Sequence, residues 1–287
     1  MKIAFLGTGL MGRPMASRLL QAGYEVVAYN RTKVKAFPLE SIGAKLVDQP
    51  EEAIELASVI ILMLADFSAI QAVLFPTINQ IKWEAKTIIQ MGTISSQQSL
   101  SLKEEIEKRD GEYLEAPVLG SIAEAEKGEL VVLVGATQAQ FERWLSLLRC
   151  FSPEPVYVGA VGQAATFKLA LNQLIASLTA SFAFSLGLIK KKGIALDLFM
   201  QVLRRSSLYA YHFDKKLDRM WEENYTNPTF PLRLLYKDVN LMIEEGREVG
   251  LEVETLSVLS HLLGKAMDQG WGERDYTALS SIILGRT

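Results

Sequence analysis

Lys2-Ile3-Ala4-Phe5-Leu6-Gly7-Thr8-Gly9-Leu10-Met11-Gly12 decides how the first half of this chain folds. Lys2 to Leu6 reads as a short buried strand, and the Gly-x-Gly-x-x-Gly string after it is by itself a weak signal. Its placement makes it informative, because Met11, Met15, Leu19 and Leu20 fall at helical spacing directly behind it. In a strand, turn and helix of this kind Gly7 permits the tight turn, Gly9 lets backbone approach a pyrophosphate, and Gly12 lets the helix pack closely on the strand. The helix start, with Leu10 and Met11, then offers free N–H groups and a partial positive charge to the phosphates. A glycine turn without a ligand shares the local pattern, but the full order of strand, glycines, helix and strand favours a dinucleotide site.

The second strand, Glu25-Val26-Val27-Ala28-Tyr29, ends where an NAD-specific site places Asp or Glu against the ribose 2′-hydroxyl. Here Asn30-Arg31-Thr32 follows. A carboxylate would repel a 2′-phosphate, whereas an amide, a guanidinium and a hydroxyl can all bond to one. NADP(H) is therefore expected in preference to NAD(H), the alternative being that Arg31 is simply a solvated turn residue.

The chain has 287 residues, which suits two domains, and a net charge of −3. Its longest basic run is Lys190-Lys191-Lys192, which reads as a solvated helix end, so no nucleic-acid partner is expected. The single Cys150 excludes an intramolecular disulfide and is expected to be buried. A first strand beginning at Lys2 leaves no room for a signal peptide ahead of it, which sets the expectation of a cytoplasmic protein. Leu169 to Ile189 reaches membrane-spanning length, but Asn172, Gln173, Ser177, Thr179, Ser181 and Ser185 interrupt it. It is read as the central helix of a helical domain, with no membrane.

From Lys2 to about Val158, β-rich runs alternate with helical stretches, the pattern of a mainly parallel sheet wrapped by helices. Ligands in such sheets sit at the carboxyl ends of strands, so Met63-Leu64 and Met91-Gly92-Thr93 are expected to face the cofactor or substrate. Beyond Gly162 the strand signals cease and helices follow, the first over about Gln163 to Lys191, which joins the two parts. The expected fold is α/β, a Rossmann-type domain over 1–161 followed by an all-α domain over 162–287 for substrate binding and oligomerisation. The long apolar helix has more surface than a small domain covers, which favours a homo-oligomer.

Two histidines and one cysteine give metal chemistry little footing, so no metal is expected, and His212 and His261 read as structural or surface residues. Lys168 and Asn172 differ, being four apart on the long helix and thus on one face. A lysine opening an apolar helix costs free energy unless its charge is used or paired. As an ammonium it can protonate the oxygen of a carbonyl receiving hydride, with Asn172 orienting it. The same pattern equally fits a lysine reaching back to water and an asparagine bonded between helices.

Gly7-Thr8-Gly9-Leu10-Met11-Gly12-Arg13-Pro14-Met15-Ala16, Gly159 through Asn172, Phe230-Pro231-Leu232 and Lys237-Asp238 together resemble the β-hydroxyacid dehydrogenase family. The resemblance spans nearly the whole chain, and Asn30-Arg31-Thr32 with Phe230-Pro231-Leu232 is most similar to its NADPH-dependent glyoxylate/succinic semialdehyde reductase branch. It implies that Lys168 is the catalytic lysine with Asn172 beside it. Thr93 and Lys237 then lie near the nicotinamide or substrate, Phe230 closes over the substrate with Asp238 also on that side, and the protein is a homodimer or homotetramer. The substrate is then a small carbonyl or hydroxy acid. One segment departs from the pattern: relatives have Pro-Val-Ser-Gly, whereas this chain has Pro117-Val118-Leu119-Gly120-Ser121. Leu119 removes a donor to the substrate carboxylate and leaves Ser121 and the amides of Gly120 and Ser121 as candidates. A reductase of a less polar carbonyl or imine, or a non-catalytic NADPH-binding protein, are the alternatives. The strand before Thr93 also ends Gln90-Met91-Gly92 where relatives carry Asp-Met-Ser.

Overall fold

The computed structural model describes residues 1–75 and 81–286. The chain divides into two compact units, Met1–Lys168 and Leu169–Thr287.

The described strands are β1 (Lys2–Leu6), β2 (Glu25–Tyr29), β3 (Lys45–Leu46), β4 (Val59–Leu62), β5 (Thr87–Gln90), β6 (Glu112–Glu115), β7 (Val118–Leu119), β8 (Val131–Gly135) and β9 (Val156–Gly159). They lie in the order β3-β2-β1-β4-β5-β6-β8-β7, with β9 also paired to β8. The pairings from β3 to β6 are parallel, while β8 runs antiparallel to β6 and β7. This is a mainly parallel Rossmann-type sheet.

Strand alternation builds a core on each face of it. Ile3 and Phe5 of β1 enter one cluster with Met15, Leu19, Val26 and Ile89, while Ala4 and Leu6 enter another with Val27, Ile60 and Ile88. Each of the larger side chains, fully removed from water, contributes about 1.5–3 kcal/mol. The helices of this unit are α1 (Gly12–Gln21), α2 (Phe37–Glu40), α3 (Pro50–Leu56), α4 (Phe67–Leu74), α5 (Ser96–Glu107), α6 (Ile122–Lys127) and α7 (Gln138–Leu148). Helix α5 shows how their ends are set locally. Ser95 accepts from the Gln98 amide while Gln98 bonds back to Ser95 N, and the far end is turned by Asp110 at φ +63°.

Strand signals end where expected. The remaining helices are α8 (Gln163–Lys191), α9 (Leu196–Arg204), α10 (Tyr211–Trp221), α11 (Leu232–Glu248), α12 (Glu254–Asp268) and, after a 3-10 turn Tyr276–Ala278, α13 (Leu279–Ile283). The unit boundary falls inside α8. Of the described helices, α8 alone is long and apolar enough to cross a membrane by length and composition. Its buried flank belongs to the core instead: Leu169 and Ala176 pack with Leu235 and Val239 of α11, and Phe182 and Leu186 pack with Met200 and Phe213.

Candidate active site

The glycine turn is built as its spacing requires. Gly7 has φ +102°, and a Cβ there would strike the Met63 carbonyl, with the Leu64 side chain 3.0 Å away. At Gly12 a Cβ would strike the Gly7 carbonyl. At Gly9, in contrast, a Cβ would meet nothing within 4 Å, so the turn is open on that side. Among the described residues no side chain caps α1 at Met11, and the buried hydroxyl of Thr8 has no hydrogen-bond partner. A buried unpaired hydroxyl costs about 1–3 kcal/mol. An open glycine turn, an uncapped helix start and an orphaned hydroxyl fit a pyrophosphate that accepts from all three.

Asn30 serves this turn from the end of β2. Its Oδ1 accepts from Thr8 N at 2.9 Å and its Nδ2 donates to Thr32 O at 2.9 Å, so the amide clasps the two loops together. The sequence offered Asn30 as one of three groups for a 2′-phosphate. In the structure its principal bonds are internal, and Arg31 and Thr32 are the exposed side chains.

Met63 and Leu64 follow β4 directly, with Met63 N bonded to Leu6 O at 2.9 Å, and so lie beside Gly7. After β5, Gln90 is buried and folds its side chain over the next turn, accepting from Gly92 N at 2.5 Å and donating to Gly92 O at 3.0 Å. That explains Gln90: it shapes the bend carrying Thr93, which is half-buried.

The segment after β6 is less open to ligand than its sequence suggests. Leu119 is half-buried in β7, paired with Val131, and Gly120 turns the chain at φ +128°. Ser121 N donates to Glu124 Oε2 at 2.8 Å and Ser121 Oγ donates to the same oxygen. Ser121 was a candidate carboxylate donor; both of its donors are taken by capping α6, and they bring a carboxylate with them.

Lys168 and Asn172 share one face of α8 and are both buried, at 8% and 2% exposure. Asn172 Nδ2 donates to Asp238 Oδ2 at 2.8 Å, and the buried Asn172 Oδ1 has no partner among the described residues. Lys237 Nζ lies 2.8 Å from Asp238 Oδ1 as an ion pair. Asn172, Lys237 and Asp238 therefore meet, with Asp238 at 1% exposure bonded to Asn172 and turned away from solvent.

Phe230 packs edge-on against Tyr276 with ring centroids 5.6 Å apart. Its loop is clamped by residues the sequence reading passed over. Asp275 Oδ2 accepts from Thr229 N and Thr229 Oγ1, both at 2.9 Å, and Lys216 Nζ donates to Thr229 Oγ1 at 2.9 Å. Burial alone would raise the Asp275 pKa, but Lys216 and the Thr229 and Thr277 donors outweigh it and hold the carboxyl below its ordinary range. Glu115 was also missed. Fully buried, it accepts from the amides of Gly162, Ala164 and Ala165 at 2.8, 2.9 and 3.1 Å. Its one sequence signal is a second acid closing the short strand Glu112-Tyr113-Leu114-Glu115.

Comparison with known proteins covers the chain end to end. The family model for the NAD binding domain of 6-phosphogluconate dehydrogenase matches residues 2–159. That for the NAD-binding domain of NADP-dependent 3-hydroxyisobutyrate dehydrogenase matches residues 162–283. Glyoxylate/succinic semialdehyde reductase 1 of Arabidopsis thaliana is 32% identical over 286 residues, 99% of this chain and 98% of that protein. The 2-hydroxy-3-oxopropionate reductase of Escherichia coli (strain K12) is 28% identical over 286 residues, 97% of this chain and 96% of that protein. Among solved structures, 3-hydroxyisobutyrate dehydrogenase from Salmonella typhimurium shares the fold with a TM-score of 0.89 at 20% identity, covering 98% of this chain and 99% of that one.

Proposed function

The chain belongs to the β-hydroxyacid dehydrogenase family of NAD(P)-dependent oxidoreductases, and on that premise we propose that it is an NADPH-dependent reductase of a small aldehyde or keto acid. The substrate class is that of glyoxylate or succinic semialdehyde, and the product is the hydroxy acid. Residues 1–161 hold the nucleotide, and 162–287 serve the substrate and oligomer contacts.

The observation that carries this reading is Lys168, an amine buried on α8 one turn before Asn172, whose amide is held by Asp238. Bound NADPH supplies hydride to the carbonyl carbon. Lys168 Nζ, as an ammonium, gives a proton to the carbonyl oxygen as the C–O π pair collapses onto it, leaving a hydroxyl and a neutral amine. Before transfer its charge stabilises the developing oxyanion. Asn172 Oδ1, an acceptor still without a partner, orients that ammonium. Asp238 keeps the amide turned so that Oδ1 and not Nδ2 is offered. NADPH is preferred because β2 ends without a carboxylate and with Arg31 and Thr32 exposed. The test is NADPH consumption by wild type and Lys168→Met over glyoxylate, succinic semialdehyde and hydroxypyruvate.

A second reading, reduction of a less polar carbonyl or an imine, is favoured by one observation. Leu119 and the Ser121–Glu124 cap replace two hydroxyl donors with an apolar side chain and a carboxylate. Simple aldehydes and cyclic imines in the same panel separate the two, since turnover confined to them contradicts the keto-acid assignment.

The second unit presents an apolar surface that a second copy of this chain would cover. On α8 and α9, Phe184, Leu198 and Val202 are 64, 56 and 61% exposed. A homodimer or homotetramer follows from that reading. The buried, unpaired Cys150 suits a reducing compartment such as the cytoplasm.

A further inference from the structure

We infer that Glu115 is a positioning residue for the reaction: its carboxylate, carried at the end of β6, holds the first turn of α8 and so fixes where Lys168 stands. This rests on the reading of Lys168 as proton donor.

The chain enters α8 through permissive backbone. Gly159 and Gly162 have φ of +145° and +99°, and between them stand only Ala160 and Val161. Such an entry has little stiffness of its own, so the helix start must be held from elsewhere. Glu115 Oε1 gathers the amides of Gly162, Ala164 and Ala165 on one oxygen. Its other oxygen accepts from the Ser99 hydroxyl of α5, and Ser99 Oγ lies 2.8 Å from Tyr113 OH. The carboxylate is thus fixed from three elements at once, α5, β6 and α8.

A neighbouring strand is shaped around it. A Cβ at Gly135 of β8 would strike Glu115 Oε1. Lys168 follows Ala164 and Ala165 by four and three residues, so it stands one turn along the helix from the captured amides. An apolar side chain at 115 would fill the space more cheaply than a buried carboxylate, but would leave three amides of the helix start unsatisfied. A tilt or rotation of that turn is carried directly to Lys168. A misplacement of about 1 Å in a reacting group can cost about 100-fold in rate.

The experiment compares Glu115→Gln, Glu115→Asp, Ser99→Ala and Lys168→Met, with kcat expressed per NADPH site counted by fluorescence titration. Glu115→Gln keeps the shape and an acceptor but loses the charge. It is expected to lower kcat about 10- to 100-fold with NADPH Kd within about twofold. The deuterium isotope effect from 4-deuterated NADPH should rise as the chemical step becomes limiting. Glu115→Asp restores the charge one methylene short of the three amides and should recover only part of the lost kcat. A purely structural role would move the melting temperature and leave kcat per site unchanged. Should Glu115→Gln fail to fold, Ser99→Ala decides, since freeing one carboxylate oxygen should still lower kcat severalfold. Wild-type kcat per site in the folded variants, with Lys168→Met inactive, overturns this inference alone. Full turnover by Lys168→Met overturns the reading it rests on.

Discussion

At the end of β2 the Asn30 amide is spent on Thr8 and Thr32, so in the proposed NADPH site a 2′-phosphate would be bound by Arg31 and the Thr32 hydroxyl. A charge-assisted bond from Arg31 contributes about 1.5–3 kcal/mol. Arg31→Ala should therefore weaken NADPH about tenfold to a hundredfold and barely affect NADH, as fluorescence titration of both cofactors will show. Equal loss for the two contradicts the preference. Leu119 bears on the substrate in the same way. Leu119→Ser restores a hydroxyl and should raise kcat/KM for glyoxylate relative to a simple aldehyde by about one order of magnitude or more. An unchanged ratio means the carboxylate is held elsewhere. Leu119 was legible as a departure because a motif surrounds it. The commitment of Ser121 to Glu124 is carried by the capping-box spacing Ser121-Ile122-Ala123-Glu124, which the substrate motif overlaps and so masks.

At the scale of elements, α8 was legible to its ends. A long apolar run bounded by Gly162 and by Lys192-Gly193 reads as one helix whether it is set in a core or in a membrane. The short pieces α2, α3 and α6, and the strands β3, β7 and β9, were not, since a few residues show little periodicity and the strands' pairing partners lie far off in sequence. The clamp on the Phe230 loop escaped for the same reason, as Lys216, Thr229 and Asp275 meet only in the fold. Helix-to-helix packing also carries a pH dependence. Thr179 Oγ1 on α8 gives its hydrogen to Ile175 O at 2.7 Å, which leaves His212 Nε2 on α10, 2.9 Å away, as a donor to that oxygen. Burial first, then Lys216 and Lys215, lower the His212 pKa to about 4, against a smaller opposing pull from Asp275. The unfolded imidazole takes its proton near pH 6.5, while the folded one resists until about 4. Stability is thus fully present above pH 6.5 and falls as pH drops towards 4. Urea unfolding across that window should show the slope in wild type and a flatter one in His212→Gln; identical slopes would remove His212 as the cause.

For the whole molecule, the two-part organisation follows from where strand signals stop, and the family assignment adds which chemistry the parts serve. The apolar surface of the second unit is assigned to self-association, so Phe184→Glu should shift the protein towards monomer in sedimentation velocity, and a monomeric wild type would contradict the assignment. The central claim is that this chain transfers hydride from NADPH with Lys168 as proton donor. Its most direct test is NADPH consumption by Lys168→Met with glyoxylate and succinic semialdehyde, alongside the variant's NADPH Kd. The account predicts a fall in kcat of about 10²- to 10⁴-fold with Kd within about twofold of wild type. A variant that keeps most of its turnover would contradict it.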